Sequence, residues 1–328
     1  MHLKKAIVIG SNSFSGSSYV AFLLKKGFNI LGISRSNISG NIFLRFNPNS
    51  KMFKFLKLDI NQNRNKIIDV IKKFKPKYLI NYSSQSMVGE SWESPEDWLM
   101  TNSYSIPVLY SQIFKIIPKI RFVHISTPEI YGNSKKKINE SEIYNPSTPY
   151  AVSRVTADQY LRIMNKERSL DYVSLRAANV YGETQKLYRI IPKTIAYCVL
   201  NKKIPLHGGG KSKRSFIHID DVSEATYLVM TKSVSGEIYN ITNEHNISIK
   251  NLVNFICNKL NKNFNQNVKI SNDRTGKDSH YNLSSSKLRK LGWKPKISLD
   301  EGIDRVINWF TLNKKLFKKK DYYYLHKK

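Results

Sequence analysis

Tyr150 and Arg154, four residues apart in "NPSTPYAVSR", are the first pair in the chain that could do chemistry. On a helix that spacing puts both side chains on one face. A free phenol loses its proton near pH 10. A fixed cation beside it favours the phenolate and lets it act as a base nearer neutrality. The second candidate is Glu129 in "HISTPEIYG", a carboxylate at the mouth of an apolar run. Its neighbour, Pro128, has nothing to ionise. The third is the stretch "IVIGSNSFSGSS", which runs from an apolar segment straight into a helical one. Gly10 and Gly16 stand where a tight turn and a close helix–strand contact need them, with Asn12, Ser13, Phe14 and Ser15 between. Backbone N–H groups at such a helix start hold a pyrophosphate.

Strands that end where these groups begin must position them. "KKAIVIG", "FNILGISRS", "FKFLKLDI", "KYLINYSS", "RFVHIS" and "DYVSLRAANVYG" read as six strands. Between them lie helical patterns: "SYVAFLLKKG" ending at Gly27, "NRNKIIDVIKKFK", a long helix over about 95–116, and "PYAVSRVTADQYLRIMNKE". This alternation predicts an α/β fold with a doubly wound, Rossmann-type parallel sheet covered on both faces. Burial on both faces explains why the strands are continuous apolar runs. After about residue 180 the rhythm gives way to turn clusters such as "LHGGGKSKRS". The expected division is a dinucleotide-binding domain over 1–178, joined by about 215–242 returning to the sheet. A smaller C-terminal lobe covers 179–214 and 243–312, and a basic tail, 313–328, is expected to be mobile.

The second strand ends in "GISRS". An NAD site calls for Asp or Glu near this point to hold the ribose 2′-hydroxyl. Ser34 and Arg35 stand there instead, and an arginine suits a 2′-phosphate, so NADP is favoured over NAD. Asp59 and Ile60, in "KLDI", are placed for the adenine edge.

Composition narrows the class. The formal net charge is +30, yet the lysines are spread along the chain with no basic stripe interleaved with aromatics. That distribution argues against nucleic acid as a partner and suits an anionic, phosphate-bearing substrate. No apolar run reaches the roughly 18 residues that span a membrane, and the N-terminus enters a strand without a signal peptide. Cys198 and Cys257 lie in apolar stretches and read as reduced thiols of a cytoplasmic protein. Neither has a metal-ligating neighbour, so no metal is expected.

Several stretches resemble, in order, the extended short-chain dehydrogenase/reductases of the sugar-nucleotide epimerase/dehydratase group. They are the Gly-rich turn, "INYSSQSMV", "ISTPEIYG", "NPSTPYAVSR", "LRAANVYG", "KRSFIHIDDVSEA" and "GKDSHYNLSSSKLRKLGWKPKISLDEGI". The resemblance covers about 5–312. It puts the family's catalytic tyrosine on Tyr150 and its lysine partner on Arg154, a departure, since a guanidinium is not a lysine in every geometry. The middle glycine of the phosphate loop is Ser13, a second departure.

The resemblance also implies a reaction. Thr127 would hydrogen-bond a sugar's C4 oxygen. Epimerases of the group need no carboxylate in the next turn; the 4,6-dehydratases do, typically as Thr-Asp-Glu or Thr-Ser-Glu. With Pro128 in the middle position, Glu129 would take the C5 proton and hand it to the departing C6 hydroxyl. The cofactor would end as it began. Substrate contacts implied are Ser86 near the hexose, with Asn179, Arg189, Arg214 and Arg274 toward the diphosphate. Met87 replaces a histidine common in the dTDP-glucose branch, and Arg35 is closer to the GDP-mannose branch, so nucleotide and hexose stay open. A 4-keto reductase, an epimerase or decarboxylase on the same scaffold, and a non-catalytic nucleotide-sugar binder are the competing readings. The resemblance further implies a homodimer or homotetramer packed through the helices at about 95–116 and 149–167.

Overall fold

The structure, a computed structural model, describes residues 4–38, 40–141, 143–272 and 281–326. Its main sheet has seven strands: β1 (Lys4–Ile9), β2 (Phe28–Ser34), β3 (Phe53–Lys57), β4 (Tyr78–Asn81), β5 (Arg121–Ile125), β6 (Tyr172–Ala177) and β7 (Ile238–Ile241). They lie in the order β7-β6-β5-β4-β1-β2-β3, every neighbouring pair parallel. The order reverses between β1 and β4, and in doubly wound sheets the ligand crevice opens at the carboxyl ends of the strands at that point.

The longer helices are α1 (Phe14–Lys25), α2 (Arg64–Phe74), α3 (Ile106–Ile116), α4 (Pro149–Arg168), α5 (Ile190–Val199), α6 (Ile219–Lys232), α7 (Ile249–Lys259) and α8 (Leu299–Asn313). Alternate residues of β1 face opposite layers. Ala6 and Val8 pack with residues of α1 and α6, and Ile7 and Ile9 with residues of α2, α3 and α4. A separate core joins α5, α7 and α8 through Ile195, Ile256, Val306 and Phe310. It is built without the main sheet and gives the smaller lobe its own interior.

Three features differ from the sequence expectation. The long helix over 95–116 is broken into Pro95–Trp98, a π-helical stretch Leu99–Ser105, and α3. Pro107 has no N–H to give, and the Ile106 amide reaches back five residues to the Thr101 carbonyl, so the ladder widens there. The sixth strand divides at Ala178, whose amide crosses to the Ile241 carbonyl at 2.9 Å. Residues Asn179–Tyr181 then pair with Lys213–His218 in a small second sheet. The C-terminal tail, expected to be mobile, lies folded against the body: Phe317 stacks on Phe310, ring centres 5.3 Å apart.

Cys198 and Cys257 are free and fully buried, with Sγ atoms 3.7 Å apart. Among the described residues no helix is long and apolar enough to cross a membrane. No group of His, Cys, Asp or Glu among them is arranged to hold a metal ion.

Candidate active site

The phosphate loop is held by contact rather than by composition alone. Gly10 has φ +79°, a conformation that L side chains rarely adopt. A Cβ on Gly16 would lie 2.1 Å from the Gly10 carbonyl oxygen, so neither glycine is replaceable. Ser13, the departure from the glycine pattern, caps α1: its Oγ accepts the Gly16 amide at 3.1 Å and donates to the Gly10 carbonyl at 2.7 Å. A serine cap is worth about 1 kcal/mol over alanine. The loop is tied to β2, because the Asn12 amide donates to Ser34 Oγ at 3.2 Å and Asn12 Nδ2 to the Ser36 carbonyl at 2.7 Å.

Beside this loop lies a cleft of about 630 Å³ whose walls include Gly10, Asn12, Ser13, Ser34, Arg35, Asp59 and Ile60. Arg35 is half-buried there, and the cleft-lining residues that follow β2 (Arg35, Ser36, Asn37) include no carboxylate. Asp59 holds the Asn61 amide at 2.8 Å, while Asn61 Oδ1, on the same wall, is buried without a hydrogen-bond partner. A cleft of this size at the switch point, lined by Gly10 and the Ser13 cap of α1, fits a dinucleotide. Phe14 turns inward to the main core, and Ser15 is not on the cleft wall.

The second half of the site gathers around Tyr150. Thr148 caps α4 by accepting the Ala151 amide at 3.1 Å, and the Tyr150 amide donates to Ser91 Oγ at 3.1 Å. The phenol is thereby set just inside the helix start, almost fully buried. Thr127 leaves β5 extended and caps the 3₁₀ turn Pro128–Tyr131, accepting the Glu129 amide at 3.3 Å. Its hydroxyl also lies near enough to the Tyr150 phenol to favour the phenolate. Burial pushes the Tyr150 phenol up; the Arg154 guanidinium pulls it down, Glu129 pushes it up, and Thr127 pulls it down, leaving it above the ordinary value. Arg154 is buried under the site, donates through Nη2 to the Ile125 carbonyl, and keeps a buried Nε with no acceptor. Pro128 is buried beside Thr127 and Glu129 is half-buried.

Two expected substrate residues meet: Arg189 Nη2 lies 3.4 Å from Ser86 Oγ, and the Arg189 charge also reaches Tyr150. Met87 is half-buried beside Ser86. Asn179 is exposed, paired in register with Phe216, and Arg214 is half-buried two residues earlier on that strand. Arg214 Nη1 donates to the Lys213 carbonyl at 2.8 Å, within its own strand. Arg274 lies outside the described residues.

A buried ionic cluster beneath Thr127 has no counterpart in the sequence reading. Ser126 Oγ donates to Asp158 Oδ2 at 2.8 Å, and Arg176 Nη2 meets the same oxygen at 2.8 Å. Arg176 Nη1 also reaches Tyr131 Oη at 2.5 Å, which ties the far end of the 3₁₀ turn to β6. His124 Nε2 sits 3.3 Å from Asp158 Oδ1, and its Nδ1 3.1 Å from Tyr110 Oη. Burial alone would raise the Asp158 carboxyl, but Arg176 and His124 overrule it and hold the group well below the usual carboxylate range. Burial lowers the His124 imidazole, with Asp158 opposing. Asp158 lies four residues past Arg154, which is a faint signal. Arg176, inside an apolar strand, is the stronger one, because an arginine is almost never fully buried unless paired.

Comparison with known proteins gives the lineage. Residues 7–306 match the family described as GDP-mannose 4,6 dehydratase. The chain is 27% identical over 331 residues to a dTDP-glucose 4,6-dehydratase of Haemophilus influenzae, covering 94% of this chain and 98% of that one. It is 29% identical over 320 residues to a human dTDP-D-glucose 4,6-dehydratase, covering 94% of this chain and 91% of that one. Among solved structures, a dTDP-glucose 4,6-dehydratase of Streptomyces venezuelae with NAD and TYD bound superposes with a TM-score of 0.89 at 25% identity, over 96% of this chain and 99% of that one. A UDP-glucose 4-epimerase of Thermotoga maritima with UDP-glucose reaches 0.85 at 25% identity, over 95% and 100%. The backbone is therefore shared across both reactions, and the residues at the site must separate them.

Proposed function

The chain belongs to the GDP-mannose 4,6-dehydratase family and is accordingly a nucleotide-sugar 4,6-dehydratase, and we propose that Tyr150, Thr127 and Glu129 carry its chemistry. Tyr150, as phenolate, accepts the proton of the sugar's C4 hydroxyl, and Thr127 holds that oxygen as it becomes a ketone. A dinucleotide bound in the cleft would supply a nicotinamide that takes hydride from C4 and gives it back at C6. The C4 ketone acidifies the C5 hydrogen, and Glu129 removes that proton. Pro128 offers no acid, so Glu129 passes the same proton to the C6 hydroxyl, which leaves as water with formation of the C5–C6 double bond. C5 then regains a proton, in net balance the one Tyr150 took from the C4 hydroxyl. Arg154 keeps a positive charge beneath the phenol throughout.

The observation that carries this reading is that Thr127 and Glu129, joined in one capped turn, both act on the Tyr150 phenol, with a buried proline where a second carboxylic acid would stand. An epimerase has no use for Glu129. The lack of a carboxylate after β2, with Arg35 in its place, favours NADP over NAD. Two free, fully buried thiols favour a reducing compartment, the cytoplasm. Exposed Leu99, Met100, Tyr104, Val152 and Ile163 on the π-helical stretch and α4 favour a dimer through that face.

The test is mass spectrometry of the purified protein with GDP-mannose, dTDP-glucose and UDP-N-acetylglucosamine, without cofactor, with NAD and with NADP. Loss of one water from one sugar is expected, fastest with NADP. Reduction of a 4-keto sugar only when NADPH is added would replace this reading with a reductase.

A further inference from the structure

The outer wall of the dinucleotide cleft is supplied by the C-terminal tail. Lys320, Asp321, Tyr323, Tyr324 and Leu325 line the same space as Gly10, Arg35 and Asp59. The segment is pinned at both ends. At one end Phe317 stacks on Phe310 and Phe43, ring centres 5.3 and 5.9 Å away. A 3₁₀ turn follows, Lys319–Tyr322, closed by the Lys318 amide donating to Asp321 Oδ2 at 2.7 Å. At the other end the His326 ring lies flat on Trp98 at 5.1 Å and 18°. His326 Nε2 is also 2.6 Å from Asp97 Oδ2, and its Nδ1 3.4 Å from Tyr324 Oη. Between the pins, the Tyr324 ring meets Tyr188 edge-on at 5.4 Å. Phe310 belongs to the small lobe and Trp98 to the segment after β4, so the tail crosses the cleft from one side to the other.

The inner face of this crossing suits an anionic dinucleotide. Lys320 and Lys186 join Arg35 on the wall, and Tyr324 and Tyr188 offer rings beside them. Tyr323 and Leu325 remain exposed, as an outer wall with one side in water would have them. The cleft stays open beneath the tail at about 630 Å³, so the segment covers the space without filling it.

We propose that residues 317–326 are a strap that closes over the bound dinucleotide, and that the pin at His326 must release for the cofactor to enter or leave. The proposal rests on reading the cleft as a dinucleotide site. It fits a reaction that returns its cofactor unchanged, because such an enzyme has no need to exchange the dinucleotide at each turnover.

The experiment measures dissociation of NADP⁺ and NAD⁺ by dilution, with no sugar present. It compares the intact chain, His326→Ala, Tyr324→Ala and a chain ending at Tyr322. Dissociation is expected to be at least tenfold faster in the shortened chain and several-fold faster in each point variant. Bound cofactor is also expected to slow tryptic cleavage at Lys318–Lys320 in the intact chain. Rates within twofold of one another, or tighter binding in the shortened chain, would overturn the strap and leave the dehydratase reading standing. Failure of both cofactors to bind the intact chain would overturn the strap and the cofactor assignment together.

Discussion

At the scale of single residues, the proposed mechanism gives Glu129 alone the work that a pair of acids would share, and this makes Glu129 separable from Tyr150. Glu129→Gln is expected to lower water loss by about 10²- to 10⁴-fold, the range of one lost acid–base group. Oxidation at C4 should survive, so reduced nicotinamide absorbance should accumulate on mixing with sugar. Intact turnover would remove Glu129 from the mechanism. Arg154 makes a different prediction. Burial lifts the Tyr150 phenol and Arg154 is the chief opposing charge. Activity needs the phenolate, so kcat/KM should rise with pH through the phenol's apparent pKa. Arg154→Met removes the opposing charge and should move that rising limb to higher pH, whereas Arg154→Lys should leave it near its original place. A Met variant with an unmoved limb would show that Arg154 acts only as packing.

At the scale of elements, β5, β6 and the middle of α4 are locked by the Asp158–Arg176–His124 cluster, which reaches Ser126 next to Thr127. Arg176→Met would leave the buried Asp158 carboxylate without its arginine, held only by Ser126 and His124, and breaking a buried pair in this way costs about 3–5 kcal/mol. A lowered melting temperature on calorimetry checks this. The pH dependence has a definite sign. His124 has a folded pKa below its unfolded value, so its contribution is intact above about pH 6.5 and is lost as pH falls below it. Asp158 has a depressed carboxyl, so its contribution is present above about pH 4 and drains away below. Acid destabilisation should therefore start on the imidazole, and His124→Gln should flatten the melting temperature between about pH 6.5 and 5. The strands were legible in the sequence because burial on both faces demands apolar runs, and the phosphate loop because its glycines have a steric reason. The cluster was not. Ser126, Asp158 and Arg176 are 18 to 50 residues apart and meet only through strand order, which no local pattern encodes. The π-helical stretch was hidden for another reason, since the apolar pattern runs as one helix across Pro107 and only the Ile106 amide reaching to Thr101 shows the break.

At the scale of the whole molecule, the net charge of +30 and the exposed apolar face argue about association. Like-charged copies repel, yet Leu99, Met100, Tyr104, Val152 and Ile163 form apolar exposure on two neighbouring elements. Light scattering should find a dimer at physiological salt, and Met100→Glu with Val152→Glu should give a monomer. A wild-type monomer at micromolar concentration would remove that face from consideration. The seventh strand has its own consequence, for the order in which the protein is made. β7 (Ile238–Ile241) zips onto β6 (Tyr172–Ala177) only after roughly 60 further residues, including α5 of the small lobe and α6, have been translated, an interval of several seconds at typical synthesis rates. Until then β6 presents an open row of backbone donors and acceptors to neighbouring chains in the polysome. Nascent chains stalled between Ala177 and Ile238 are thus the ones most in need of a chaperone.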